Sequence, residues 1–142
     1  MAAGGQGWFS PPSPGDIVWC RFPQYGLPGP GPKARPALVL KVGESNGFPM
    51  VAVAYGTSKK VEKLYPGEFA ILPADRGAFE AAGLSETTKF DLGHTFELDY
   101  NDTWFAVPPG ATYGQTPKLG ILHPSLVRRA KAAHDAAMRA SR

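Results

Sequence analysis

Apolar positions along this chain fall into short runs, and clusters of glycine, proline and small polar residues separate them. That spacing predicts strands joined by turns rather than long helices. Asp16–Phe22, rich in β-formers and preceded by Pro14-Gly15, predicts a first strand. Pro36–Val42 predicts a second, and its unbroken Ala37-Leu38-Val39-Leu40 run suits burial on both faces. The chain between them carries Pro23, Pro28, Pro30 and Pro32, which remove backbone donors and fix φ, so it reads as a long irregular loop. That loop leaves Arg35 at its end, where the second strand begins. Gly43–Gly47 is a turn cluster in which Asn46-Gly47 is the hairpin signal. Met50–Tyr55 then predicts a third strand antiparallel to the second, ending at Gly56-Thr57-Ser58-Lys59-Lys60.

Beyond Pro66-Gly67 the pattern continues with a strand at Glu68–Leu72 and a short helix at Asp75–Ala82, with Asp75 as N-cap and Gly83 as terminator. Thr87–Leu92 predicts a strand, Asp99–Asp102 a turn, Thr103–Val107 a returning strand that Pro108-Pro109-Gly110 breaks, and Lys118–Leu122 a short strand. The one long helix spans about residues 124–140, where Leu126, Val127, Ala130, Ala133, Ala137 and Met138 recur at helical spacing. No internal repeat is present. The fold class is mainly β with a C-terminal helix, a small and mostly antiparallel barrel. Residues 1–14, with Trp8 and Phe9, read as a flexible arm, and residues 15–142 as a single domain.

Size and composition add exclusions. A chain of 142 residues suits one domain with a real core. No apolar stretch approaches the ~20 residues of a spanning helix, and Met1–Gly7 lacks the charged and apolar regions of a signal peptide. No membrane role is expected, and the cytoplasm is the default location. Cys20 is the only cysteine, which excludes an intrachain disulfide and a cysteine-built metal site. The net charge of +3 is misleading as a nucleic-acid signal, because Ser125–Arg142 alone carries five basic residues against Asp135. The rest of the chain is close to neutral, so local placement of cations matters more than the total.

Three clusters remain as candidate chemistry: Lys33 with Arg35; Thr57-Ser58-Lys59-Lys60; and Thr88-Lys89-Phe90-Asp91. Each opens or follows a predicted strand, so the three can meet at one rim. Hydroxyls and cations with few acids suit a phosphodiester, and a guanidinium at a loop end suits phosphate capture. Acids are too scattered for a paired-carboxylate mechanism. His94, His123 and His134 lack metal-ligand spacing, so neither a metal nor a cofactor is expected, and no glycine-rich stretch has a P-loop ending. Trp19, Trp104 and Phe105 read as packing residues, Cys20 as buried and inert, and His94 as a loop residue. Thr57 has two readings, a turn cap or a phosphate-binding hydroxyl.

Gly15-Asp16-Ile17-Val18-Trp19, Arg35-Pro36-Ala37-Leu38-Val39-Leu40 and the strand ending at Thr57 together resemble the MazF/PemK family of toxin–antitoxin toxins over roughly residues 14–127. The resemblance implies an SH3-like barrel that dimerises, cleaves single-stranded RNA without a metal, and is held in check by a cognate antitoxin. It assigns Arg35 to the scissile phosphate, Thr57 to the hydroxyl that holds or polarises that phosphate, and Asp16 a structural role. Lys89 and Asp91 match a later basic and acidic pair and, with Ser58, Lys59 and Lys60, are substrate-binding candidates; from the residues alone Lys89 and Asp91 read as a structural, strand-edge pair. The general base stays open, with Asp91 and His94 as candidates, and Tyr25 or Tyr55 offers a surface for a splayed base. The first loop is longer and richer in proline and glycine than the family pattern, and Gly93–Gln115 reads as an insertion. Two rival readings are a CcdB-like barrel that inhibits a protein target through its helical tail and a catalytically silent nucleic-acid-binding barrel.

Overall fold

A computed structural model describes residues 9–111 and 113–141. Residues 1–8, and with them Trp8 and most of the expected arm, lie outside the described residues. Six strands pair antiparallel in one sheet: β1 (Asp16–Cys20), β2 (Arg35–Ser45), β3 (Phe48–Thr57), β4 (Glu68–Ile71), β5 (Thr88–Asp99) and β6 (Lys118–Ile121). Their order across the sheet is β4-β5-β3-β2-β1-β6, so the sheet does not close, and β4 and β6 are its edges. This is the expected mainly-β antiparallel class with a C-terminal helix, compatible with a small barrel-like fold.

The β2–β3 hairpin is the centre of the sheet. Its turn is Asn46-Gly47, both at positive φ (55° and 84°), the two-residue geometry whose twist matches the flanking strands. Neighbouring residues of the central strands alternate between two cores. Ile17, Leu38 and Ala54 face one cluster with Phe69, Phe90 and the helices, while Val18, Ala37, Val39 and Val53 face the other with Leu98, Tyr100 and Phe105. The sheet is therefore buried on both faces, which is why the Ala37–Leu40 run is continuously apolar. Phe9 packs against the second cluster.

Three expectations are corrected. The strand expected over Thr87–Leu92 runs on to Asp99, because after an irregularity opposite Ala54/Tyr55 residues 95–99 pair with Met50–Ala54. The first part of the expected Gly93–Gln115 insertion thus belongs to the sheet, and His94 is a strand residue. Thr103–Val107 forms no strand. It lies beside the end of β1 through Arg21 N–H to Trp104 O (2.6 Å), Ala106 N–H to Trp19 O (3.1 Å) and the Cys20–Phe105 bridge. Pro108 and Pro109 cannot donate, so the ladder stops there. The short helix splits into a 3₁₀ turn at Pro73–Asp75 and α1 (Gly77–Ala82), with Arg76 at φ 54° between them. Asp75 therefore caps the 3₁₀ turn, accepting from Leu72 N–H at 2.8 Å. Gly83, at φ 71°, ends α1 as expected, and a Cβ there would strike the Leu119 carbonyl.

A 3₁₀ turn at Pro124–Leu126 leads into α2 (Val127–Ala140). Leu126, Ala130 and Ala133 are buried, but Val127 and Met138 are half exposed, so the apolar stripe is narrower than its spacing implied. Among the described residues, no helix is long and apolar enough to cross a membrane.

Candidate functional site

Arg35 opens β2 and Thr57 ends β3, and the register of the hairpin relates them. Leu38 pairs with Ala54 and Ala37 with Tyr55. Continuing that pairing to the strand ends sets Arg35 across from Thr57 on the same face of the sheet. The chain permits this close approach because residue 56 is glycine: a Cβ there would run into the Pro36 carbonyl and the Phe90 ring. On the far sides Arg35 pairs with Cys20 of β1, and Thr57 with Lys89 of β5.

At this end of the sheet lies a cavity of about 330 Å³. Lys33, Arg35, Thr57 and Ser58 line it, together with Trp19, Pro36, Thr88, the Gly83–Glu86 loop and Pro108-Pro109. Arg35 is half-buried, and among the described residues its guanidinium has no hydrogen-bond or ion-pair partner. It is neither sealed in the core nor paired away from Thr57. The Thr57 Oγ1 accepts from Lys59 N–H at 3.1 Å. The turn thus uses a lone pair of the hydroxyl and leaves its proton free to donate, so the two readings of Thr57 are compatible. Trp19, expected as a packing residue, is only half-buried and forms part of the wall.

The other expected residues lie elsewhere. Lys59 and Lys60 are exposed and do not line the cavity. Lys89 is buried and committed, its Nζ 3.0 Å from Glu68 Oε1 and 3.1 Å from the Lys63 carbonyl. Its partner is Glu68, not Asp91 as a local pair would have it. Asp91 accepts from Gly93 N–H at 2.9 Å and steadies the irregularity in β5. His94 stacks among rings with Tyr55 and Phe96, and Tyr25 is fully exposed on the first loop. Asp16 is structural, accepting from Ser13 N–H at 3.0 Å and lying 3.5 Å from Lys118 Nζ.

Sequence reasoning missed the loop between α1 and β5. Ser85 and Glu86 line the cavity with Thr88, the one member of the third expected cluster that does so, and Glu86 is the carboxylate among its lining residues. Thr88 Oγ1 donates to the Glu86 carbonyl at 3.0 Å, which fixes the loop where it enters β5. The only signal was a polar Ser-Glu-Thr-Thr run before a strand, which reads equally well as a linker. Among the described residues, no group of three or more His, Cys, Asp or Glu side chains could hold a metal ion. The Cys20 thiol is no nucleophile: burial pushes its pKa up, outweighing the opposite pull of Arg21. A site with unpaired cations, a hydroxyl and one carboxylate can bind a phosphate and move one proton near it.

A family model described as PemK-like, MazF-like toxin of type II toxin–antitoxin system matches residues 13–99, a span that contains Arg35, Thr57 and Glu86. No curated protein matches the chain.

Proposed function

Since the chain belongs to the PemK-like, MazF-like toxins of type II toxin–antitoxin systems, we propose that it is a metal-independent endoribonuclease that cleaves single-stranded RNA. The observation that carries this reading is the half-buried, unpartnered Arg35 guanidinium across from Thr57 in one cavity. The ribose 2′-OH attacks the adjacent phosphorus, the P–O5′ bond breaks, the departing 5′-oxygen takes a proton from solvent water, and the products are a 2′,3′-cyclic phosphate and a free 5′-OH. Arg35 donates paired hydrogen bonds to the phosphoryl oxygens as their charge grows, and Thr57 adds another. An arginine stays protonated, so it stabilises charge rather than acting as base. Glu86 takes the proton from the 2′-OH in this reading, and Lys33 and Ser58 help hold the neighbouring backbone. DNA, without a 2′-OH, is not cut.

Family membership implies an antitoxin partner. The active form in this reading is a homodimer in the cytoplasm. The direct test incubates the purified protein and its Arg35→Ala variant with single-stranded RNA in EDTA and identifies product ends. Wild type yields cyclic phosphates and the variant does not; intact RNA across varied sequences with wild type overturns the reading. Glu86→Gln slows cleavage about a hundredfold or more without weakening RNA binding. Unchanged cleavage by that variant removes Glu86 as the base.

A further inference from the structure

Beside the Arg35–Thr57 pair lies a set of rings that the proposed chemistry does not use. Phe22 and Tyr55 have centroids 4.9 Å apart, Phe22 and Phe96 5.4 Å, Tyr55 and His94 5.3 Å, and His94 and Phe96 4.9 Å. The four form a closed array. Phe22 is buried at 5% exposure, Tyr55 and Phe96 are half-buried, and His94 is exposed. Two other close ring pairs, Phe69–Phe90 and Tyr100–Phe105, are buried on both members.

Three observations tie the array to the cavity and to an unpaired nucleic-acid strand. Tyr55 lies two residues before Thr57 on β3, so both side chains share a face and stand roughly 7 Å apart along the strand. That is about one nucleotide of extended chain. Second, His94 reaches Tyr55 only because the ladder is interrupted: Tyr55 pairs with Asp91 and Ala54 with Thr95, which leaves Leu92, Gly93 and His94 without partners on β3. Interruptions of this kind re-aim side chains beside functional sites. Third, an exposed imidazole on a phenol and a phenyl is a poor core seal but a good flat platform for a base. Asp91, across from Tyr55, is occupied by Gly93 N–H.

We infer that Tyr55, His94 and Phe96, backed by Phe22, form a stacking subsite for a nucleobase next to the phosphate held by Arg35 and Thr57. The inference rests on the reading of the cavity as an RNA site. It assigns the subsite a π-face preference rather than a hydrogen-bond code, so it positions the strand more than it selects a base.

The test measures binding without turnover, by fluorescence anisotropy of a single-stranded oligoribonucleotide carrying 2′-fluoro in place of every 2′-OH. Tyr55→Leu and His94→Ala each weaken binding about tenfold, while Tyr55→Phe binds as wild type. A single abasic nucleotide, walked through the oligonucleotide, finds one position at which wild type loses affinity and Tyr55→Leu loses no more. Circular dichroism checks that Tyr55→Leu is folded, and the exposed His94→Ala gives an independent reading. Variants that bind like wild type, or losses that do not couple to any abasic position, overturn the subsite. So does a variant that turns from dimer to monomer with RNA affinity unchanged, which would make the rings an interface between copies. Wild type that binds this probe yet leaves ordinary RNA intact overturns the nuclease reading alone, and wild type that binds no RNA overturns both.

Discussion

Arg35 and Arg129 are both partly exposed guanidiniums at the margin of the sheet, and their surroundings are opposite. Arg129, on α2, donates from Nη1 to Asp75 Oδ2 at 2.9 Å, from Nη2 to Asp75 Oδ1 at 3.1 Å and from Nη1 to the Ala70 carbonyl at 2.9 Å. That fork ties the last helix to the β4 edge. The hydrogen bond from Arg129 is the main reason the Asp75 carboxyl sits below the usual carboxylate range, and it raises Arg129 in turn. Arg35 has none of these partners. The same residue type is a clasp in one place and an open donor in the other, and only the tertiary surroundings tell them apart.

Substitution separates the two. Arg35→Ala lowers RNA cleavage by about 10²–10³-fold, the usual cost of removing a donor from developing negative charge. Its melting temperature stays near wild type, because the side chain gives up no hydrogen bond or ion pair. Lysine at that position does not restore cleavage, since it lacks the paired fork. A stable, fully active Arg35→Ala protein would break the comparison outright.

Gly56→Ala strikes the register that holds Arg35 against Thr57. The added methyl meets the Pro36 carbonyl and Phe90, and urea unfolding reads a loss of about 1–3 kcal/mol, with cleavage falling as well. Thr57→Val follows, with cleavage down about tenfold for one lost hydrogen bond and recovered in Thr57→Ser. If valine is harmless, Thr57 acts only as a turn cap.

The smallest effect belongs to the clasp. Asp75→Asn costs about 0.5–1 kcal/mol at neutral pH, because the Arg129 side chain, 42% exposed, leaves the pair screened by water. Cleavage is unchanged. Because the folded-state pKa is depressed, the stabilisation is complete above the ordinary carboxylate pKa near 4. It is lost as acid protonates the unfolded chain first and then the folded one. Thermal melts of wild type and Asp75→Asn therefore converge as pH falls below about 4.

What the sequence made legible follows the reach of its signals. The hairpin from Arg35 to Thr57 is written locally, in an Asn-Gly turn between two apolar runs, and so are its two candidate site residues. Residues 93–99 of β5 were not legible, because Gly93 and the acids around it look like a break until β3 pairs with them. Glu86 was hidden for a related reason: a polar run before a strand becomes a cavity wall only when the loop after α1 folds back toward β1 and β2. Thr103–Val107 shows the converse error, since its β-forming composition meets only the last residues of β1 before Pro108 and Pro109 stop the ladder. The α2 stripe overreached because helical spacing marks a face but not how much of it a partner covers.

The close contact across the central hairpin has a consequence for the order of assembly. Arg35 and Thr57 share a hairpin that a two-residue turn can close early, with little loop entropy to overcome. The wall bearing Glu86 and the prolines at 108 and 109 joins later. The β1–β6 pairing, which brings Asp16 to Ile121, must wait for nearly the whole chain. In the proposed reading the phosphate-binding pair is thus ready during synthesis before the proton acceptor, and the site stays half-built on the ribosome until the second wall arrives.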